Sequence, residues 1–144
     1  MKTKKRNVIK VVKKAKKKYT HHPLHYNTSE SILIDNKSED LQEAWFKIRE
    51  FGQSLGDQRI YASGKAIMFS KKVCYFFVRP KKSFLEVVVF NKTEQPKGYF
   101  SSVTPVTKTK WAHTFKLIHA DQVEGFLTDA ISKAYENAPE IAKV

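Results

Sequence analysis

RIYASGKAIMFSKKVCYFFVRPKKSFLEVVVF, residues 59–90, decides the fold. It is a series of short runs rich in β-branched and aromatic side chains: Arg59 to Ala62, Ala66 to Phe69, Val73 to Arg79 and Phe84 to Phe90. Ser63-Gly64-Lys65, Lys71-Lys72 and Pro80-Lys81-Lys82 break them apart. Gly and Pro supply the backbone angles of tight turns, so this rhythm predicts strands joined by hairpins. Spacers this short join antiparallel neighbours, because a parallel crossover needs a dozen or more residues.

Downstream, Tyr99 to Val106 and Trp111 to Ile118 continue the strand pattern beyond a longer turn-like piece, Asn91 to Gly98. Upstream, Leu41, Ala44, Trp45, Ile48, Phe51 and Leu55 fall on one helical face, with Ser38 placed to cap it, Glu39 and Asp40 in the first turn, and Gly56 to end it. At the other end Val123, Phe126, Leu127, Ala130, Ile131, Ala134 and Tyr135 hold helical spacing behind Asp121 and Glu124, a capping-box-like pair, and Pro139 closes the run. The expected fold is α+β: an antiparallel sheet of five or six strands, with an N-terminal and a C-terminal helix packed on one face in two layers. A chain of 144 residues supports one core of this kind.

Ahead of this body the composition changes. Residues 1–29 hold ten basic side chains and no acid, so the rest of the chain, with 17 basic and 14 acidic residues, accounts for only +3 of the net +13. Val8, Val11, Val12, Ala15 and Tyr19 make a short apolar stripe among the lysines. Dense like charge opposes a free helix, so the arm is expected to become helical only when its charge is neutralised or the stripe docks. Thr20 to Ser31 has no sustained period and reads as a linker. The expected division is therefore a basic arm and linker over 1–31 and a single domain over 32–144.

Signatures of chemistry are sparse. Gly56 and Gly64-Lys65 are too far apart for a phosphate-binding loop, and Ala66 stands where such a loop places a hydroxyl for magnesium. Cys74 lies among Val73, Tyr75, Phe76 and Phe77, where burial opposes the thiolate, and a lone cysteine cannot form an internal disulfide. His21, His22 and His25 have no neighbouring acid or cysteine to complete a metal shell and read as solvated linker. No metal, cofactor or enzymatic activity is expected. No run reaches the roughly 18 to 20 apolar residues of a membrane span, and no secretory leader is apparent, so the expectation is a cytoplasmic protein without membrane insertion.

The arm is the feature that invites a partner. Lys4, Lys5, Arg6, Lys10, Lys13, Lys14, Lys16, Lys17 and Lys18 are candidates for contact with nucleic acid, DNA or RNA, because neutralising phosphates releases condensed counterions with little regard to base sequence. The same charges would also suit an acidic protein partner, and the alternative reading is a protein-interaction or small-ligand module whose basic tail is incidental. Lys71 and Lys72, Lys81 and Lys82, and Lys108 and Lys110 fall at the turns of the body and would add a second patch if those turns shared one end of the sheet.

The order Phe51-Gly52, Leu55-Gly56, Phe76-Phe77-Val78-Arg79-Pro80, Pro96-Lys97-Gly98, Lys110-Trp111-Ala112-His113-Thr114-Phe115 and Ala134-Tyr135-Glu136 resembles an uncharacterised prokaryotic domain-of-unknown-function family over about residues 38–137. The resemblance implies a compact α+β domain without established activity. It also implies relatives sometimes fused to nuclease-like domains or labelled transport proteins. If the shared positions form a pocket, Trp111, His113 and Tyr135 are the residues carried over. Alternation along its strand aims His113 to the same side as Trp111 and Phe115, which also fits a buried, hydrogen-bonded histidine.

Overall fold

The computed structural model describes residues 28–140. The basic residues from Lys4 to Lys18 and the histidines at 21, 22 and 25 lie outside the described residues.

Helix α1, Thr28–Ile34, lies partly in the expected linker and crosses the expected boundary at residue 31. At seven residues it is too short to show a helical period. What fixes it is tertiary: Ile34 enters the core, and Glu30, 1% exposed, pairs with Arg49. Helix α2, Glu39–Gln53, begins as its sequence predicts, with the Ser38 hydroxyl accepting the Leu41 N–H at 3.3 Å. It buries Leu41, Ala44, Trp45, Ile48, Arg49 and Gly52 and stops just short of the predicted Gly56. Gly56 then takes φ +143°, and a Cβ there would strike the Tyr135 hydroxyl.

Six antiparallel strands follow: β1 Arg59–Ser63, β2 Ala66–Ser70, β3 Cys74–Pro80, β4 Leu85–Asn91, β5 Ser102–Thr107 and β6 Lys110–Leu117, in the spatial order β1-β2-β3-β4-β6-β5. The first four form a meander. The connection over 92–101 then carries the chain past the site of β6, so the last hairpin returns to lay β6 against β4. The class is α+β, as expected.

Register sorts the side chains. Ile67 pairs with Val78, Phe69 with Phe76, Phe76 with Val89, Val78 with Val87, Leu85 with Leu117 and Val87 with Phe115. These residues join Leu41, Ala44, Trp45 and Ile48 of α2 in one buried cluster. Trp45 meets Phe69 edge-on at 6.0 Å, and Phe69 stacks on Phe76 at 4.1 Å. A bulge at Phe69/Ser70 lets the adjacent Tyr75 and Phe76 both turn inward.

After β6 the cap differs from the predicted Asp121/Glu124 pair. A single 3-10 turn, Ala120–Gln122, comes first, where His119 Nδ1 accepts the Asp121 N–H at 3.1 Å and Gln122 Oε1 accepts the His119 N–H at 3.0 Å. Val123 and Glu124 separate this turn from helix α3, Gly125–Asn137, which opens on Gly125 at φ +49° and whose N-cap Glu124 makes no side-chain cap bond. Leu127, Ile131 and Ala134 of α3 enter the same core. The helix ends with Ala138 extended before Pro139, as the residue preceding a proline prefers.

Candidate nucleic-acid interface

The three expected pocket residues are not brought together. His113 is fully buried: Nδ1 lies 3.3 Å from the Val89 carbonyl and Nε2 accepts the Gln95 N–H at 3.0 Å. Those partners require the neutral tautomer with its proton on Nδ1, and the ring rests against Phe100 at 5.1 Å. His113 thus ties the 92–101 connection to the sheet. Trp111 lies half-buried two residues away on the same face of β6, opposite Asn91. Tyr135 stands elsewhere. Phe126 of α3 contacts Phe100, and Tyr135 lies nine residues, about 13 Å of helix, further on. There its hydroxyl donates to the Asp57 carbonyl at 3.1 Å and its ring meets Tyr75 at 5.3 Å.

Burial pushes the His113 pKa below its usual value, more than the Val89 and Trp111 carbonyls raise it. The unfolded chain therefore takes up this proton first as pH falls through the ordinary histidine value of about 6.5, and stability declines from there until the lowered folded value is passed. The thermal midpoint of the wild type is expected to fall more between pH 7 and pH 5 than that of His113→Gln, measured by circular dichroism in matched buffers. Equal falls would show that His113 does not titrate in this way.

A shallow cleft of about 470 Å³ is lined by Arg49, Gln53, Gly56, Asp57, Gln58 and Ile60. Its polar groups largely satisfy one another. Gln58 Nε2 donates to the Gly52 and Gly56 carbonyls at 2.7 and 3.1 Å, and its Oε1 accepts the Tyr75 hydroxyl at 2.6 Å. Burial raises the Tyr75 pKa and also that of the Cys74 thiol, which keeps both protonated at neutral pH. Among the described residues no group of three or more His, Cys, Asp or Glu is placed to hold a metal, and no helix is long and apolar enough to cross a membrane.

The turn lysines do not all share one end of the sheet, the condition for a second patch. Lys71 is 5% exposed; its Nζ donates to the Tyr135 carbonyl at 2.8 Å and sits 4.1 Å over the Tyr135 ring, stabilising the carboxyl end of α3. The strand directions put the Lys108 turn at the same end of the sheet and the Lys81-Lys82 turn at the other.

Charge gathers instead on the sheet face turned away from the helices. Tyr61, Met68, Phe77, Val88, Thr114 and Ser102 are successive cross-strand partners, forming one row over all six strands. Arg79, Glu86 and Lys116 form part of the next row, and Phe90, Ala112 and Thr104 lie on the other side. None of these residues belongs to the main core cluster. Phe77 and Phe90 are half-buried neighbours, their centroids 6.0 Å apart and tilted by 50°. Each ring has a cation close by: Arg79 Cζ is 5.0 Å from the centroid of Phe77, and Lys110 Nζ is 4.8 Å from that of Phe90. Lys116 lies 5.2 Å from Phe84, and Arg59 lies 5.6 Å from Tyr61. Among the described residues, Arg79, Lys110, Lys116 and Arg59 share the face with one strand carboxylate, Glu86, which Arg79 holds at 2.9 Å. The alternation of β3 and β4 creates this surface, but the apolar runs of both strands hide it in the sequence, because outward and inward positions carry the same kind of side chain.

A family model described as a domain of unknown function (DUF5655) matches residues 30–138. No curated protein and no solved structure matches the chain. The match takes in most of α1, all of α2 and α3, the whole sheet and the Glu30–Arg49 pair, and it starts eight residues upstream of Ser38, where the sequence resemblance begins. The chain belongs to the DUF5655 family of domains of unknown function.

Proposed function

We propose that this protein is a non-enzymatic, cytoplasmic nucleic-acid-associated protein whose lysine-rich arm, residues 4–18, contacts phosphates while the folded domain adds binding surface of its own. The segregation of charge carries this reading: ten basic residues and no acid precede Glu30. Solubility does not require so one-sided a segment, whereas counterion release makes it an effective phosphate binder. The cations on the outer sheet face add to the same field. The alternative, a protein-interaction or small-ligand module with an incidental tail, is less well supported, since both His113 ring nitrogens already have partners within the domain.

Anisotropy titration of labelled DNA and RNA over a salt series tests the proposal. The full chain is expected to bind with an affinity that falls steeply with salt. Neutralising Lys13, Lys14, Lys16, Lys17 and Lys18 to Gln should reduce the log-log slope by roughly 0.7 to 0.9 for each phosphate that is no longer neutralised. Substitution is preferable to truncation at Ser31, which would remove Glu30 from beside buried Arg49. An absence of binding at about 150 mM salt would overturn the proposal, and an unchanged slope would remove the arm from it.

A further inference from the structure

We infer that the outer face of the sheet is a stacking platform for single-stranded nucleic acid, with Phe77 and Phe90 under neighbouring bases and Arg79, Lys110, Lys116 and Arg59 reaching the phosphates. This rests on the nucleic-acid reading above and names the form that the folded domain takes.

An antiparallel sheet covered on one side ordinarily turns polar side chains to water on the other. Here the outward positions of the central strands include, beside Arg79, Glu86, Thr114 and Lys116, the half-buried Met68, Phe77 and Phe90 and the 8% exposed Val88, with half-buried Tyr61 at the β1 edge. Neighbouring rings that keep part of their surface open to water on such a face are a candidate interaction site. Its chemistry narrows the occupant. Four cations stand among the rings against one carboxylate, already engaged by Arg79, so a second copy of the same face or the lysine arm would meet like charge. The complementary ligand is anionic and carries flat faces able to lie on phenyl rings.

Nucleic acid meets both requirements only where its bases are unpaired, because a duplex buries their faces in its own stack. Aromatic rings on a sheet, bordered by positive charge, suit a single strand whatever its sequence. The cation–ring contacts also indicate how the strand is received. A base settling on Phe90 displaces the Lys110 ammonium from above the ring, and that ammonium is then free for the adjoining phosphate. Arg79 and Phe77 can make the same exchange.

The test uses the full chain with labelled oligo(dT), oligo(rU) and a duplex of matched length. Phe77→Leu and Phe90→Leu keep the apolar character and remove the π face, and thermal melts check that both variants fold. Each is expected to weaken single-strand binding about 5- to 150-fold while leaving duplex binding and the salt slope near wild type. Lys110→Gln with Lys116→Gln should instead lower the salt slope by about 1.4 to 1.8. The oligo(dT)-to-oligo(rU) ratio distinguishes DNA from RNA.

Folded Leu variants that bind single strands as tightly as the wild type would overturn the platform and leave the arm reading standing. So would equal losses for single strand and duplex, a wild-type dimer that these variants dissociate, or binding to phosphatidylserine vesicles in place of oligonucleotides. If neutralising the arm has no effect and the Leu variants lose single strands, the platform stands and the arm reading fails. If the wild type binds no nucleic acid, both fall.

Discussion

Glu30→Ala is expected to destabilise the domain by about 3 to 5 kcal/mol, because it leaves the Arg49 guanidinium in a protein interior without its carboxylate. The pair is two-pronged: Nε donates to Oε1 at 2.7 Å and Nη2 to Oε2 at 3.2 Å, with side-chain exposures of 6% and 1%. Gln53 Oε1, at 3.2 Å from Nη1, is a neutral acceptor and cannot replace the lost charge. Urea unfolding followed by circular dichroism measures the effect. Glu30→Leu combined with Arg49→Met should recover most of the loss, since a buried ion pair replaced by apolar groups of similar volume is often neutral or better. A loss below about 1 kcal/mol for Glu30→Ala would mean that water or another group reaches Arg49 at little cost.

Phe69→Ala is expected to cost a similar amount, about 3 to 5 kcal/mol, by opening a cavity where α2 meets the sheet. The ring is fully buried, stacked on Phe76 and met edge-on by Trp45. A Cβ built on Gly52 would lie 3.0 Å from it, so α2 already sits close against this ring. Closing the cavity would require the helix backbone to move, which places the substitution at the costly end of its class. Against a total stability of roughly 5 to 15 kcal/mol, the variant should unfold at a much lower denaturant concentration. A loss under about 2 kcal/mol would indicate that Trp45 and Ile48 repack into the space.

The strands and the start of α2 were legible because their signals are local. Gly64 marks a turn, Pro80 ends β3 just before the next one, and the Ser38 hydroxyl finds the Leu41 N–H three residues on. Three features depend on contacts distant in sequence or on a local break in the pattern. Thr28–Ile34 is under two turns long, and the Glu30–Arg49 pair that anchors it spans nineteen residues. The Asp121/Glu124 expectation failed because the helix opens only at Gly125, at φ +49°, and the His119–Gln122 turn starts the segment. For the candidate site, alternation correctly put His113 and Trp111 on one face, but the pairing of His113 with Val89 and Gln95, which closes both its nitrogens, involves residues 24 and 18 positions away. In VVVF and YFFV nearly every residue is apolar, so composition alone gives no sign of which side chains the helices cover.

The order β1-β2-β3-β4-β6-β5 also governs how the chain matures during synthesis. The meander of the first four strands can form as it leaves the ribosome, yet β4 then has a vacant edge and Leu85, Val87 and Val89 look onto ground that α3 has still to cover. That edge closes only after Leu117 has emerged, and the cover is complete only near Asn137. Until then the nascent chain presents an unpaired strand beside an apolar face, the combination most prone to wrong association, so a pause late in translation is the moment when this protein depends most on a chaperone.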